Sequence, residues 1–523
     1  MAAKQSDEQV DVLIIGSGPA GSSYARTIGD AVPSARILMV EVGPAIPGIR
    51  GEHTLNMPEE DRIAAQMLTQ GPDAGSKRDF AMSDFGKGVD PSLEYRLNIL
   101  PGLFALDPKP ILEKGEVGLP AATMASGVGG MGIHWGTSSP RPSQSERIPF
   151  IPAADMDEAL DHAEALLNTR KFSVPGKGLM EALRSALAEE FDGPGLTPTG
   201  FLPTSNYSRG DRQQLSGTGV ILGDLEQTVP GFELRAETLA KRVLVGNGVA
   251  EGAVLQDRRT GREYTVCAKH VVVCADGLRT PQVLYASGVR PTALGHYLNE
   301  HFQMNTFLSL SDEFDPDKFT YDPNSVASVT IPFSDTRPMQ GGLVALGQSV
   351  HKITFGDMVI GGGDPATARL AIMVWYAAKD IQFRDAVEFS DTETDFYGMP
   401  KMRIRYSHTD ADLAVIEHMR EVSVRGMKRL GTAHDEPVLA VGGSSIHYMG
   451  TVRMGNRNDG TSVCDPNLKV WGIENLYVGG NGVVPTATAA NPTLTIVALA
   501  WRAANRIARE LAETEDKIHR KQA

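Results

Sequence analysis

The segment from Val10 to Glu41 constrains this chain more than any other. Val12, Leu13, Ile14 and Ile15 form a continuous apolar run, the pattern of a short strand buried on both faces. Gly16-Ser17-Gly18-Pro19-Ala20-Gly21 follows at once, Ser22 to Ile28 has helix-compatible composition, and a second strand, Arg36 to Val40, ends at Glu41. In that order each glycine has a distinct purpose. Gly16 permits the tight turn, Gly18 lets a pyrophosphate approach the backbone, and Gly21 lets the helix pack closely on the strand. An acid at the end of the second strand, here Glu41, accepts hydrogen bonds from an adenosine ribose. A GxGxxG motif alone is weak evidence, and the bland alternative is a tight turn that binds nothing; the full strand, loop, helix, strand and acid sequence outweighs it. The loop does not distinguish NAD from FAD, because both use it.

At 523 residues the chain exceeds what one hydrophobic core usually supports, so two domains or one large elaborated domain are expected. A net charge of -14 argues against nucleic acid and anionic lipid, which need basic surfaces. Cys267, Cys274 and Cys464 form no CxxC pair and read as buried inert thiols, with no metal site expected. The N-terminus lacks a basic then apolar leader and no run is long enough to span a bilayer, so a cytoplasmic location without a membrane partner is expected.

After Glu41 a stretch punctuated by Gly and Pro runs to about Pro142. It contains Ser126-Gly127-Val128-Gly129-Gly130-Met131-Gly132-Ile133-His134-Trp135-Gly136-Thr137, whose glycines suggest backbone pressed against a flat ligand. A flexible loop is the alternative, opposed by the packing side chains Met131, Ile133 and Trp135. Met156 to Leu167 and Met180 to Phe191 read as amphipathic helices, and Val271 to Ala275 as a fully buried strand. Thr280 is expected to cap a helix with Pro281 in its first position. From His301 to Gly443 β-type runs dominate, with one clear helix from Asp410 to Leu430 carrying Leu413, Ile416, Met419 and Met427 on one face. A strand at Leu476–Val478, then Gly479-Gly480-Asn481-Gly482 and a long helix, close the chain. The fold class expected is α/β. A discontinuous Rossmann-like dinucleotide domain (1–142, 205–300 and 444–523) would join an α+β substrate domain on a largely antiparallel sheet (143–204 and 301–443).

Two polar residues near the C-terminus lie in recognisable runs. One is His447-Tyr448-Met449-Gly450-Thr451-Val452-Arg453-Met454-Gly455, and the other is Ala490-Asn491-Pro492-Thr493-Leu494-Thr495. With the Gly16–Glu41 unit, the Asp276–Gly288 run and Gly295-His296-Tyr297-Leu298-Asn299-Glu300-His301, they resemble the glucose–methanol–choline (GMC) oxidoreductases, flavoproteins that oxidise alcohols. The match keeps the family's order over nearly the whole chain and implies FAD as the cofactor. The Val128–Trp135 and Ala490–Thr495 stretches look most like the pyranose oxidase branch, which oxidises a ring secondary alcohol of a sugar to a ketone. Bacterial relatives in that branch include enzymes that act at C3 of glycosides, C-glycosides among them. The resemblance therefore implies a sugar or glycoside substrate oxidised at C2 or C3, with O2 or a quinone as acceptor. The alternative is the flavin subunit of a dehydrogenase that feeds a cytochrome partner.

The resemblance also implies residue roles. Ser126, Gly130, Met131, Gly132, His134 and Trp135 would belong to a flavin loop. Pyranose oxidases carry, at the position of His134, a histidine that can be bonded covalently to the flavin. A threonine follows their His-Trp pair where Gly136 stands here, so a bonded and a merely packed His134 both stay open. Gly480 and Asn481 would approach the ribityl–pyrophosphate segment, Val243 would offer backbone groups to adenine, and Pro492 and Thr493 would face the flavin. His447 occupies the family's catalytic position and Asn491 its partner's. A neutral histidine suits proton removal from an alcohol, since its ordinary pKa of about 6.5 lies near working pH. The Asn491 amide would hold the hydroxyl and the developing alkoxide. A structural histidine is the rival reading of His447. For Asn491 the rival is a helix cap, with Pro492 at the first helical position. Gln348 and His351 are candidate sugar contacts, with ordinary surface residues equally compatible.

Overall fold

The computed structural model describes residues 8–69, 103–104, 112–170, 178–191, 204–209, 212–319, 327–334, 337–345, 353–355, 358–360 and 368–522. Its first sheet has seven strands and grows from the N-terminal apolar run. Glu8–Ile15 pairs in parallel with Ile37–Val40 on one side and with Glu263–Val273 on the other, and Phe232–Arg235 extends the sheet beyond Ile37–Val40. The Glu263–Val273 strand then serves two partners. Its first half pairs antiparallel with Val249–Asp257, which leads to Thr238–Gly246, while Val271, Val272 and Val273 pair in parallel with Leu476–Val478. Side chains such as Leu13, Ile14 and Val272 are fully buried because helices cover the sheet, the environment that selects continuous apolar strands.

Pro19–Ala31 packs on the C-terminal helix Thr493–Gln522. Gly21 makes the close approach of that first helix to its strand possible, because a Cβ there would lie 2.1 Å from the Gly16 carbonyl oxygen and 3.4 Å from the Ile14 side chain. Gly21→Ala is therefore expected to lower the unfolding free energy by about 2–4 kcal/mol, read from chemical denaturation, since the Gly16 backbone must move. An unchanged midpoint would contradict that packing account.

The second sheet has six strands, all antiparallel. Ala327–Ser334, Arg337–Val344, Leu370–Ala377 and Phe302–Leu310 lie in that order, and Gly431–Ala433 and Val438–Leu439 both pair with the last of them. Leu370–Ala377 alternates strictly. Ala371, Met373, Trp375 and Ala377 enter a core shared with Asp410–Leu430 and Leu179–Glu190, and Ile372, Val374 and Tyr376 face the other way. Among the described residues no helix is long and apolar enough to cross a membrane, and no cluster of His, Cys, Asp and Glu is arranged to hold a metal. The three cysteines are free, with Cys274 and Cys464 buried and Cys267 half-buried.

Several sequence expectations are corrected. The Ala153–Leu166 helix, placed with the substrate portion, packs on Thr493–Gln522 instead, and its Met156, Ala159, Leu160 and Ala163 belong to the core of the first sheet. Pro281 lies inside the helix Asp276–Ala286 rather than at its start. The Asp276 carboxylate accepts from the N–H groups of Leu278 and Arg279 there, while the Thr280 hydroxyl accepts from Ala275. In Asp410–Leu430, Ile416, Met419 and Met427 are buried but Leu413 is 54% exposed, because it follows the buried Asp412 and so lies about 100° round the helix from the stripe.

Candidate active site

A cavity with about 1940 Å³ of space free of atoms, part of it open to solvent, lies beyond the carboxyl ends of the first sheet's parallel strands. This is the crevice that open α/β sheets offer to ligands. Gly16, Gly18, Glu41, Gly130, Met131, Gly132, His134, Trp135, Gly480, Asn481, Asn491, Thr493 and His447 all line it. Thus the Gly-rich loops near residues 16 and 130 and the two C-terminal runs converge on one space.

The two glycine loops are locked together by one hydroxyl. Ser17 Oγ donates to Glu41 Oε2 at 2.7 Å and accepts from the Gly129 N–H at 2.9 Å. Glu41 also accepts from the backbone N–H groups of Ser17 and Gly43, and burial raises its pKa. The second loop then closes as a short 3-10 turn, Gly130–Ile133, in which Gly132 presses on Pro19 and Thr218 so closely that a Cβ would sit 2.7 and 2.6 Å from their side chains. Its flank is pinned by Trp135 Nε1 donating to the Ser216 carbonyl and by His53 Nε2 donating to the Trp135 carbonyl, both at 2.7 Å.

His134 rests its Nδ1 on Thr54 Oγ1 at 3.4 Å, and its Nε2 has no partner among the described residues. Burial, and then the neighbouring His53, push its pKa down to about 3. A neutral buried histidine has a linkage consequence. The unfolded chain binds that proton near pH 6.5 and the folded chain does not, so this contribution to stability is complete above about 6.5 and is lost as pH falls towards 3. Relative to its value at pH 7, the unfolding free energy of wild type should drop against that of His134→Gln by up to about 1.4 kcal/mol per pH unit below 6.5. Parallel pH profiles for the two proteins would contradict the assignment.

His447 enters the cavity after a strained residue. Ile446 has φ of 59°, a left-handed conformation that a β-branched side chain rarely adopts and that persists only where surrounding structure enforces it. The enforcement comes from Glu300, whose buried carboxylate accepts from the Gly443 N–H at 2.7 Å and from Ser445 Oγ at 2.8 Å. Burial pushes the Glu300 pKa up to about 7. Ser445 Oγ in turn accepts from the His447 N–H at 3.3 Å. On the ring, His447 Nδ1 lies 3.1 Å from Nδ1 of His301, and Tyr376 packs against both imidazoles, with ring centroids 5.6 and 5.8 Å away. Burial drives the His447 pKa down to about 3, so the ring is neutral at working pH.

Asn491 precedes the C-terminal helix, which begins at Thr493. Pro492 therefore stands one position earlier than the cap reading expects, and its carbonyl accepts from the Ile496 N–H. The Asn491 side chain does not cap the helix. Its Oδ1 accepts from Gln340 Nε2 at 3.2 Å, which leaves its two N–H bonds available to the cavity it lines. The chain before it is fixed by Glu146, whose Oε1 takes the N–H groups of Ala489 and Ala490 at 2.6 and 2.8 Å.

Other expected residues fall outside the lining. Gly21 packs internally. Ser126 lies behind the wall, where its Oγ accepts from Arg279 and from the Tyr397 hydroxyl. Val243 does not reach the cavity, because its N–H donates to Ser287 Oγ at 2.8 Å in mid-strand; Thr238, Leu239 and Ala240 of the same strand line it instead. Gln348 and His351 lie outside the described residues. Conversely, Gln303, Tyr376, Arg279 and Tyr397 line the cavity without having been singled out. Gln303, Tyr376 and Gln340 form one cross-strand row on the second sheet, and that shared face carries them towards His447 and Asn491.

The chain that carries this cavity has full-length relatives among known proteins. The GMC oxidoreductase family models match residues 145–303 and 386–500. The chain is 39% identical to a C-glycoside 3-oxidase of Arthrobacter globiformis, over 98% of this chain and 97% of that protein. It is 29% identical to a pyranose 2-oxidase of Tricholoma matsutake, over 95% and 93%. It also superposes on the structure of a formate oxidase from Aspergillus oryzae with a TM-score of 0.63 at 17% identity, covering 98% of this chain and all of that one. The chain belongs to the GMC oxidoreductase family.

Proposed function

We propose that this protein is an FAD-dependent oxidoreductase that converts the C3 secondary alcohol of a glycoside, C-glycosides included, to a ketone, with O2 or a quinone as electron acceptor. The observation that carries the reading is the meeting of neutral His447 and uncapped Asn491 in the same cavity as the dinucleotide loops. The similarity to C-glycoside 3-oxidase along the full length supports C3 over C2, and supports an oxidase over a subunit that feeds a cytochrome.

The residues present fit FAD. Asn481 Oδ1, His134 Nε2, and Nε and Nη2 of Arg279 are buried polar atoms with no partner among the described residues, all on cavity-lining side chains. Buried polar groups are normally satisfied, so such a set calls for a ligand with its own donors and acceptors. Gly16, Gly18 and Glu41 would hold the adenosine and pyrophosphate end, and Gly130, Met131, Gly132, Trp135, Gly480, Asn481 and Thr493 the remainder. When bound, the flavin supplies the hydride acceptor. His447 takes the hydroxyl proton at its cavity-facing nitrogen, and Asn491 donates to the oxygen on which negative charge develops. Gln303 and Tyr376 present polar groups to the sugar from the sheet face.

His134 holds the flavin without a covalent bond in this reading. Gly136 supports it, since it stands where pyranose oxidases with a bonded histidine carry a threonine after the His-Trp pair. Acid precipitation is then expected to leave the yellow cofactor in the supernatant; colour retained in the pellet would overturn this part. For the reaction itself, aerobic incubation with a C-glucoside should give the 3-keto product, and a 2-keto product would overturn the C3 assignment.

A further inference from the structure

We infer that His301 and Thr488 are positioning residues that fix the tautomer of His447, so that its Nδ1 carries the proton and its Nε2 is bare and able to accept one. This rests on the proposed role of His447 as the base, and it follows from a chain of hydrogen bonds whose two directions satisfy different groups.

The chain starts at Thr488, whose Oγ1 lies 3.4 Å from the Ala490 carbonyl oxygen and 3.6 Å from Met449 Sδ. Both can only accept, so the direction that satisfies them spends the single hydroxyl proton of Thr488 there. The 2.9 Å contact between Thr488 Oγ1 and His301 Nε2 must then be donated by the histidine. His301 is buried and its pKa is driven well below the ordinary value, so it is neutral and holds one ring proton. With that proton on Nε2, its Nδ1 can only accept. The 3.1 Å contact to His447 Nδ1 is therefore donated by His447. His447 is also neutral, which leaves Nε2 as its free lone pair.

The reverse chain runs from Thr488 into His301 Nε2 and from His301 Nδ1 into His447 Nδ1. It would put the remaining proton on His447 Nε2, disable the base and leave the Thr488 hydroxyl proton turned away from both acceptors. In the forward direction the alcohol O–H bond breaks with its proton passing to Nε2, and the resulting imidazolium keeps Nδ1–H bonded to His301. One short loop performs two tasks: Thr488 sets the proton state of the base, and Asn491, three residues on, presents the amide. Glu146 holds that loop through Ala489 and Ala490.

The test is ¹⁵N spectroscopy of the holoenzyme labelled at histidine, with the His447 signals assigned by their loss in His447→Asn. The expected spectrum has a protonated Nδ1 and an unprotonated Nε2 for His447. A protonated Nε2 overturns the inference. A kinetic arm uses anaerobic flavin reduction by a C-glucoside. Thr488→Val is expected to lower the limiting reduction rate by at least about tenfold with little change in substrate saturation, while Thr488→Ser, which keeps the hydroxyl, returns to within about threefold of wild type. Wild-type reduction by Thr488→Val, with the His447 tautomer preserved, also overturns it. If His447→Ala reduces as fast as wild type, the base assignment itself falls. Loss of reduction in that variant alongside a protonated Nε2 in wild type sinks the tautomer alone.

Discussion

His447→Ala is expected to slow reduction of the bound flavin by a saturating sugar by about 10²–10⁴-fold, the usual contribution of a positioned general base. The setting places an unprotonated acceptor in the cavity. The wild-type imidazole is neutral because burial pushes its pKa down to about 3, and it is held on one side by His301 and across its face by Tyr376. Alanine removes the proton acceptor, and the neighbouring His301 does not replace it, since that ring lies behind His447 on Thr488 and does not line the cavity. The cavity wall made by the glycine loops is untouched, so the variant should keep its flavin and its thermal midpoint. Full colour with lost reduction is therefore the specific outcome expected. Lost colour would mean a structural histidine, and reduction at the wild-type rate would remove the base assignment.

Asn491→Ala is expected to cost about 10²–10³-fold in the same rate, the range measured when one donor to a developing oxyanion is deleted. Its amide is oriented from both sides. Gln340 takes up Oδ1 from the second sheet, and Glu146 fixes the two residues before it from the first core. The N–H bonds are thus presented without reorganisation when charge forms on the substrate oxygen. Because the interaction strengthens as the proton leaves, the loss should fall on the reduction rate constant more than on substrate saturation. Asn491→Asp should be at least as damaging, because it sets a carboxylate beside a developing alkoxide. A cap would behave differently, since alanine would then lower stability by about 1 kcal/mol and leave the rate alone.

The parts of this account that were legible in the sequence are those encoded locally. Gly16, Gly18 and Glu41 were readable because the turn, the close approach and the acid lie within one strand–helix–strand unit. The neighbourhood of His447 and Asn491 was readable by family resemblance. What the sequence did not reveal depends on register and tertiary contact. Tyr376 sits in an apolar run that reads correctly as a strand, yet its alternation does not say whether the half-buried face meets solvent or a cavity. Gln303 and Gln340 join Tyr376 only through strand pairing between segments far apart in the chain. His301 lay inside a quoted motif without a role, because its meaning comes from a contact with a residue 146 positions away. Asn491 was ambiguous because Asn before Pro is a good helix start, whereas the helix begins at Thr493 and the Asn491 oxygen bonds Gln340. Ala153–Leu166 was misplaced because an amphipathic helix does not specify which of two cores receives its apolar face.

Oxidation of a sugar hydroxyl in this cavity is tested by anaerobic mixing of the holoenzyme with a C-glucoside, an O-glucoside and free glucose while following flavin absorbance near about 450 nm. The absorbance is expected to bleach with at least one member of the set, fastest with the C-glucoside, and His447→Ala is expected not to bleach on the same timescale. A flavin that stays oxidised with every sugar offered would contradict it.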